Sequence, residues 1–211
     1  MKEQTSTHTD EGLWQAFKEG SEASFDLIYE KTFSSLYAYG YRLCRDEELV
    51  KDCIQNMFIE IWQKRQQLNE VHTLRHYLFK ILRRKIFHEL ENKNKADNRL
   101  QLALSDHGTD FFFSSQVDRI NADDAFPEEV KNRLKALLSR LSSRQKEAVV
   151  LKFYENMSYA EISEIMGLKD AKYARQLIYR SINELKRCFE EEYNFSLSSH
   201  SLYLCLLYMG I

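Results

Sequence analysis

The chain has 211 residues, 13% of them aromatic, but only six Gly and one Pro, so a helix-rich packed protein is expected rather than a sandwich or a disordered chain. That length accommodates one large domain or two small ones. A formal net charge of -2 does not exclude nucleic acid, because phosphate binding depends on where the basic residues cluster.

Residues 1–12 are polar and unpatterned and are read as a disordered N-terminus. From Leu13 to about Asn92, apolar residues recur at helical spacing. Val50, Ile54, Met57, Phe58 and Ile61 make one stripe, and Leu74, Leu78, Ile81 and Leu82 make another. A bundle of amphipathic helices over residues 13–99 is predicted. Within it, residues 63–99 carry ten basic side chains against four acidic ones, interleaved with His76, Tyr77, Phe79, Phe87 and His88. Cations with aromatics supply the phosphate neutralisation and base stacking that single-stranded DNA requires. The plainer reading of Tyr77, Leu78 and Ile81 is that they are core.

Periodicity fails between Leu100 and Glu129, where Ser105 to Asp110 form a loop cluster followed by the triplet Phe111, Phe112 and Phe113. Seven acidic residues there face a single basic one, Arg119, so residues 100–127 are read as an acidic, flexible, solvated linker whose aromatics need some partner. A second helical domain is predicted over 128–190, opened by Pro127, which suits a first helical turn. Leu134, Leu137, Leu138 and Leu141 follow. Ser142 with Gln145 and Ser158 with Glu161 then form two capping boxes, each expected to open a helix.

Ser158 to Leu185 reads as a helix-turn-helix. Ile162, Ile165 and Met166 line the first helix, Gly167 takes the positive φ of a tight turn, and a longer helix starts near Asp170. Its stripe of Ala174, Leu177, Ile178, Ile182 and Leu185 leaves Lys169, Lys172, Tyr173, Arg175, Gln176, Tyr179, Arg180 and Asn183 outside, a donor-rich surface suited to phosphates and major-groove base edges. The plainer alternative is a helical hairpin with a solvated basic face.

Residues 191–211 form a tail containing the apolar run Leu202 to Met209, too short for the roughly 20 residues a spanning helix needs. No membrane insertion is expected, and the run is read either as packing on a domain or as a self-docking segment. Cys44, Cys53, Cys188 and Cys205 form no CxxC pair and no signal peptide precedes them, which fits reduced thiols and a cytoplasmic location. His72 and His76 lack a third ligand at suitable spacing, and no P-loop, GxSxG or GxGxxG occurs. Neither an enzyme, a metal site nor a cofactor is expected.

Two segments together resemble the extracytoplasmic-function (ECF) group of sigma-70 family sigma factors. Asp52 to Trp62 is similar to sigma region 2.2, Leu74 to Arg84 to region 2.3, and the helix-turn-helix with its lead-in Leu141 to Gln145 to region 4.2. The resemblance spans about Leu13 to Phe189. The short interval between domains leaves no room for region 3, and the short N-terminal segment leaves none for region 1.1.

It implies an all-α, two-domain protein that binds RNA polymerase core through Asp52, Gln55 and Asn56. Promoter DNA at the minus-ten element would be melted with Tyr77, Lys80, Arg83 and Arg84, and the minus-thirty-five element read with Lys172, Tyr173, Arg175, Gln176, Tyr179 and Arg180. An anti-sigma factor is an implied partner. Asn56 departs from the family's usual acidic residue, Arg84 from Asn and His88 from Asp, and the turn after Gly167 is one residue longer than the commonest form. A stand-alone helix-turn-helix regulator and a pure protein-interaction module remain as other readings. Neither requires the Asp52 face or the basic cluster.

Overall fold

A computed structural model describes residues 9–68, 73–96, 111 and 136–193, with backbone alone for 94–96 and 189–193. The chain divides into two compact units, Met1–Arg99 and Leu100–Ile211. The expected apolar tail, and every residue of the expected linker except Phe111, lie outside the described residues. Phe111 is buried, at 1% exposure, which fits the expectation that the aromatics of this stretch need a partner.

The first unit contains four α-helices among its described residues. Helix α1 (Asp10–Lys18) begins within the stretch expected to be disordered, because the Thr9 side chain accepts from the Gly12 amide and Asp10 and Glu11 suit the positive end of the helix dipole. Leu13, Trp14 and Phe17 then bury its inner face. Ser21 caps α2 (Glu22–Cys44), which stops where Arg45 turns left-handed. Asp46 caps α3 (Glu47–Gln63), and α4 (Leu74–Ala96) closes the bundle by packing on the other three.

Gly40 marks a close approach between three of these helices. A Cβ there would stand 2.8 Å from a Val50 methyl on α3 and 3.1 Å from the Ile86 Cδ1 on α4. Aromatic rings fill much of the rest. Trp14 stacks near Phe17 and meets Tyr77 edge-on at 5.4 Å, while Phe25 meets both Phe58 and Trp62 in T-shaped contacts.

In the second unit, residues 136–139 are helical and place Leu137 and Leu138 in the core. Helix α5 (Ser143–Val149) continues into a π-helical turn, Val150–Tyr154, and α6 (Tyr159–Ile165) follows. Both α5 and α6 have seven residues, too few to persist alone, and both open with a complete reciprocal capping box. Gly167 adopts φ +62° as predicted, and α7 (Ala171–Tyr193) packs on α5 and α6. The expected stripe of α7 holds Ala174, Ile178 and Leu185 in the core, and the structure adds Ser181 and Cys188. Ser181 is tolerated there because its hydroxyl donates to the Leu177 carbonyl at 2.8 Å.

Among the described residues no helix is long and apolar enough to cross a membrane. Nor does any cluster of His, Cys, Asp and Glu there have the geometry to hold a metal ion. Cys44, Cys53 and Cys188 are free thiols.

Candidate functional site

Three outward surfaces carry the sequence-predicted residues. On α3 the buried stripe of Val50, Ile54, Met57, Phe58 and Ile61 turns Asp52, Gln55 and Asn56 to solvent on the opposite side. Ile59, 45% exposed, sits among them. Sequence reasoning passed over it, although it is the apolar residue of α3 that falls outside the stripe. An exposed branched side chain beside three hydrogen-bonding groups gives this face both an apolar anchor and polar specificity.

On α4, Leu78, Leu82 and Ile86 face the core, while Lys80 and Arg84 are exposed and Arg83 is half-buried. The Arg83 guanidinium lies over the Phe87 ring at 4.4 Å. Tyr77 is half-buried beneath Trp14, and this burial raises its phenol pKa, with Arg84 pulling the other way. Lys85 and Lys93 turn toward α3. Lys85 pairs with Glu60, and Lys93 donates to Asp46 at 2.8 Å. Each lysine holds its partner carboxyl below the usual range, chiefly through the hydrogen bond. The basic stretch is therefore sorted by the fold: part of it knits α4 to α3, and Lys80 and Arg84 occupy a solvent face.

On α7 the Asp170 side chain caps the helix by accepting from the Tyr173 amide at 2.7 Å. Beyond this cap, Lys172, Arg175, Gln176, Tyr179, Arg180 and Asn183 line one shallow concavity on the outer face. Tyr173 is also exposed, at its side. The structure thus brings together five of the six residues predicted for duplex DNA with Asn183, which the sequence also placed on this donor-rich face. Arg175 lies 5.3 Å from the centre of the Tyr179 ring, and its interaction with the Tyr179 hydroxyl raises the guanidinium pKa. A helix presenting three cations, two amides and a ring along one face matches the width and chemistry of a major groove.

Comparison with known proteins agrees with this arrangement. Residues 28–96 match sigma-70 region 2 and residues 131–185 match sigma-70 region 4, together covering more than half of the chain. Similar proteins include the ECF RNA polymerase sigma factor SigM of Bacillus subtilis, 23% identical over 176 residues that span 81% of this chain and 98% of SigM. ECF sigma factor SigK of Mycobacterium sp. (strain KMS) is 22% identical over 78% of this chain and 82% of its own.

Two solved structures share the fold. CnrH, in complex with the cytosolic domain of CnrY, gives a TM-score of 0.55 at 17% identity, covering 87% of this chain and 98% of CnrH. RpoE of Bartonella quintana, in complex with the anti-sigma factor NepR, gives 0.54 at 19% identity, covering 80% and 98%. A helical bundle matching region 2 followed by a helix-turn-helix matching region 4 places this chain in the sigma-70 family, in its ECF group.

Proposed function

We infer that this protein is a sigma factor, which joins RNA polymerase core, directs it to promoters and takes part in opening them. The observation that carries the reading is the presence in one chain of both sigma regions, the bundle and the helix-turn-helix. A stand-alone regulator would need only the second.

Each surface then takes a role. Asp52, Gln55 and Asn56 contact the polymerase, with Ile59 as an apolar anchor. Lys80, Arg83 and Arg84 act on the separated strands at the minus-ten element. Tyr77, half-buried and in contact with Trp14, joins them with the part of its ring left exposed. Lys172, Tyr173, Arg175, Gln176, Tyr179 and Arg180 engage the minus-thirty-five duplex, with Arg175 and Gln176, in the first turns of α7, reading bases. An anti-sigma factor is a further partner, by analogy with RpoE, whose structure holds one.

Transcription from a promoter library with polymerase core tests the whole reading. Transcripts that require this protein are expected, together with reduced core binding by the Asp52→Ala/Gln55→Ala variant at unchanged helicity, since exposed polar changes cost little stability. Sequence-selective DNA binding without core, and no transcripts with it, would instead identify a stand-alone regulator.

A further inference from the structure

The outer face of α7 holds two side chains already joined to each other. Arg175 and Tyr179 are one turn apart, and the guanidinium lies 5.3 Å from the ring centre. Tyr179 is 51% exposed, so this ring is not placed for core packing. We propose that Tyr179 is a positioning residue that holds the Arg175 guanidinium in the orientation needed to read one base pair of the upstream promoter element. The proposal rests on the assignment of Arg175 as a base reader.

The geometry of the two groups makes the roles compatible. A ring engages a guanidinium through its flat face, whereas bidentate recognition of guanine uses N–H donors in the guanidinium plane. A contact through the ring face consumes none of the five N–H donors, so they remain for a base edge. A carboxylate partner would instead compete for the in-plane donors of the guanidinium. Arginine is also rich in rotamers, and restraining it before DNA arrives removes part of the ordering cost of binding. The contact lies within a single helix at i,i+4 spacing, so it needs no other element to form.

Promoter-library selection with holoenzyme assembled from full-length Arg175→Ala, Tyr179→Ala, Tyr179→Phe and the Arg175→Ala/Tyr179→Ala double variant tests this. Arg175→Ala is expected to relax preference at one upstream base pair by roughly 5- to 150-fold. Tyr179→Ala should relax the same base pair by roughly two- to fivefold, the scale of an exposed cation–ring contact, and leave other positions alone. Tyr179→Phe, which keeps the ring, should retain the wild-type preference at that base pair. In the Arg175→Ala background, losing Tyr179 should change preference at that base pair no further. A Tyr179→Ala effect at a different base pair, an additive effect in the double variant, or no effect on preference at all would overturn the positioning role. Unchanged preference in Arg175→Ala alone would remove the base-reading assignment and this proposal with it.

Discussion

The two units solve the problem of burying helices by different means. In the first, long helices are joined by rings from distant parts of the chain: Trp14 of α1 reaches Tyr77 of α4, and Phe25 of α2 reaches Phe58 and Trp62 of α3. In the second, the described core is mainly aliphatic, with Leu141, Val149, Ile162, Ile165, Ile178 and Leu185 buried, and two large aromatics, Tyr173 and Tyr179, stand in solvent on α7. Its two seven-residue helices depend on local capping. The contrast separates stability that comes from non-local packing from stability written into a few adjacent residues, and it leaves the aromatics of α7 available for another molecule.

The largest expected effect tests the ring-based bundle. Trp14→Ala should destabilise the first unit by about 3 to 5 kcal/mol, as removal of a fully buried large aromatic does. Both tryptophans of the chain lie in this unit, so the remaining Trp62 emission follows its urea unfolding directly. A cost no greater than that of losing a helix cap would break the comparison.

Gly40→Ala comes next. Alanine in an exposed helix interior ordinarily gains stability over glycine, but here its methyl meets Val50 and Ile86, so a net loss of about 1 to 3 kcal/mol is expected by the same measurement. A gain would mean that the α2, α3 and α4 contact yields easily.

Ser158→Ala sharpens the other half of the contrast. Removing the hydroxyl that accepts from the Glu161 amide should cost about 1 kcal/mol, confined to the second unit. Faster amide exchange in the first turn of α6, with Trp emission unchanged, is the expected signature.

The smallest effect is a dependence on pH. Burial pushes the Cys53 thiol up to about 11, with Glu89 adding to the shift. Between the ordinary thiol value near 9 and that value, the folded state holds a proton that the unfolded chain has released. Stability should therefore be full below pH 9 and fall as pH rises toward 11. Urea midpoints across that range should drop less in Cys53→Ala than in the native chain.

Much of this was legible where the signal is local. The Ser158 and Glu161 box, the positive φ of Gly167 and the stripe of Val50, Ile54, Met57, Phe58 and Ile61 each depend on residues within a few positions of one another. The partner of Tyr77 was not legible, because Trp14 lies 63 positions away and periodicity says which face is apolar but not what covers it. The start of α1 was missed because Thr9 and Asp10 form a cap before any apolar residue appears. The π-helical turn at Val150–Tyr154 has no distinct composition. In the candidate site, spacing located the outer face of α7, and the i,i+4 relation of Arg175 and Tyr179 was available in the sequence as a signal for their pairing.

The carboxylate pairing of α4 has a consequence for counterion release. If all ten cations of residues 63–99 met phosphates of a single strand, the logarithm of DNA affinity would fall with the logarithm of salt concentration at a slope of about seven. Lys85 and Lys93 already have Glu60 and Asp46 as their counterions, and Arg65 donates to the Trp62 carbonyl at 2.8 Å while lying over its indole. A lysine that must exchange a protein carboxylate for a phosphate frees fewer condensed ions from the DNA than one that starts in water. The bundle's grip on DNA should accordingly be less sensitive to ionic strength than its sequence charge implies, and charge-reversing Glu60 to lysine would steepen that dependence by liberating Lys85.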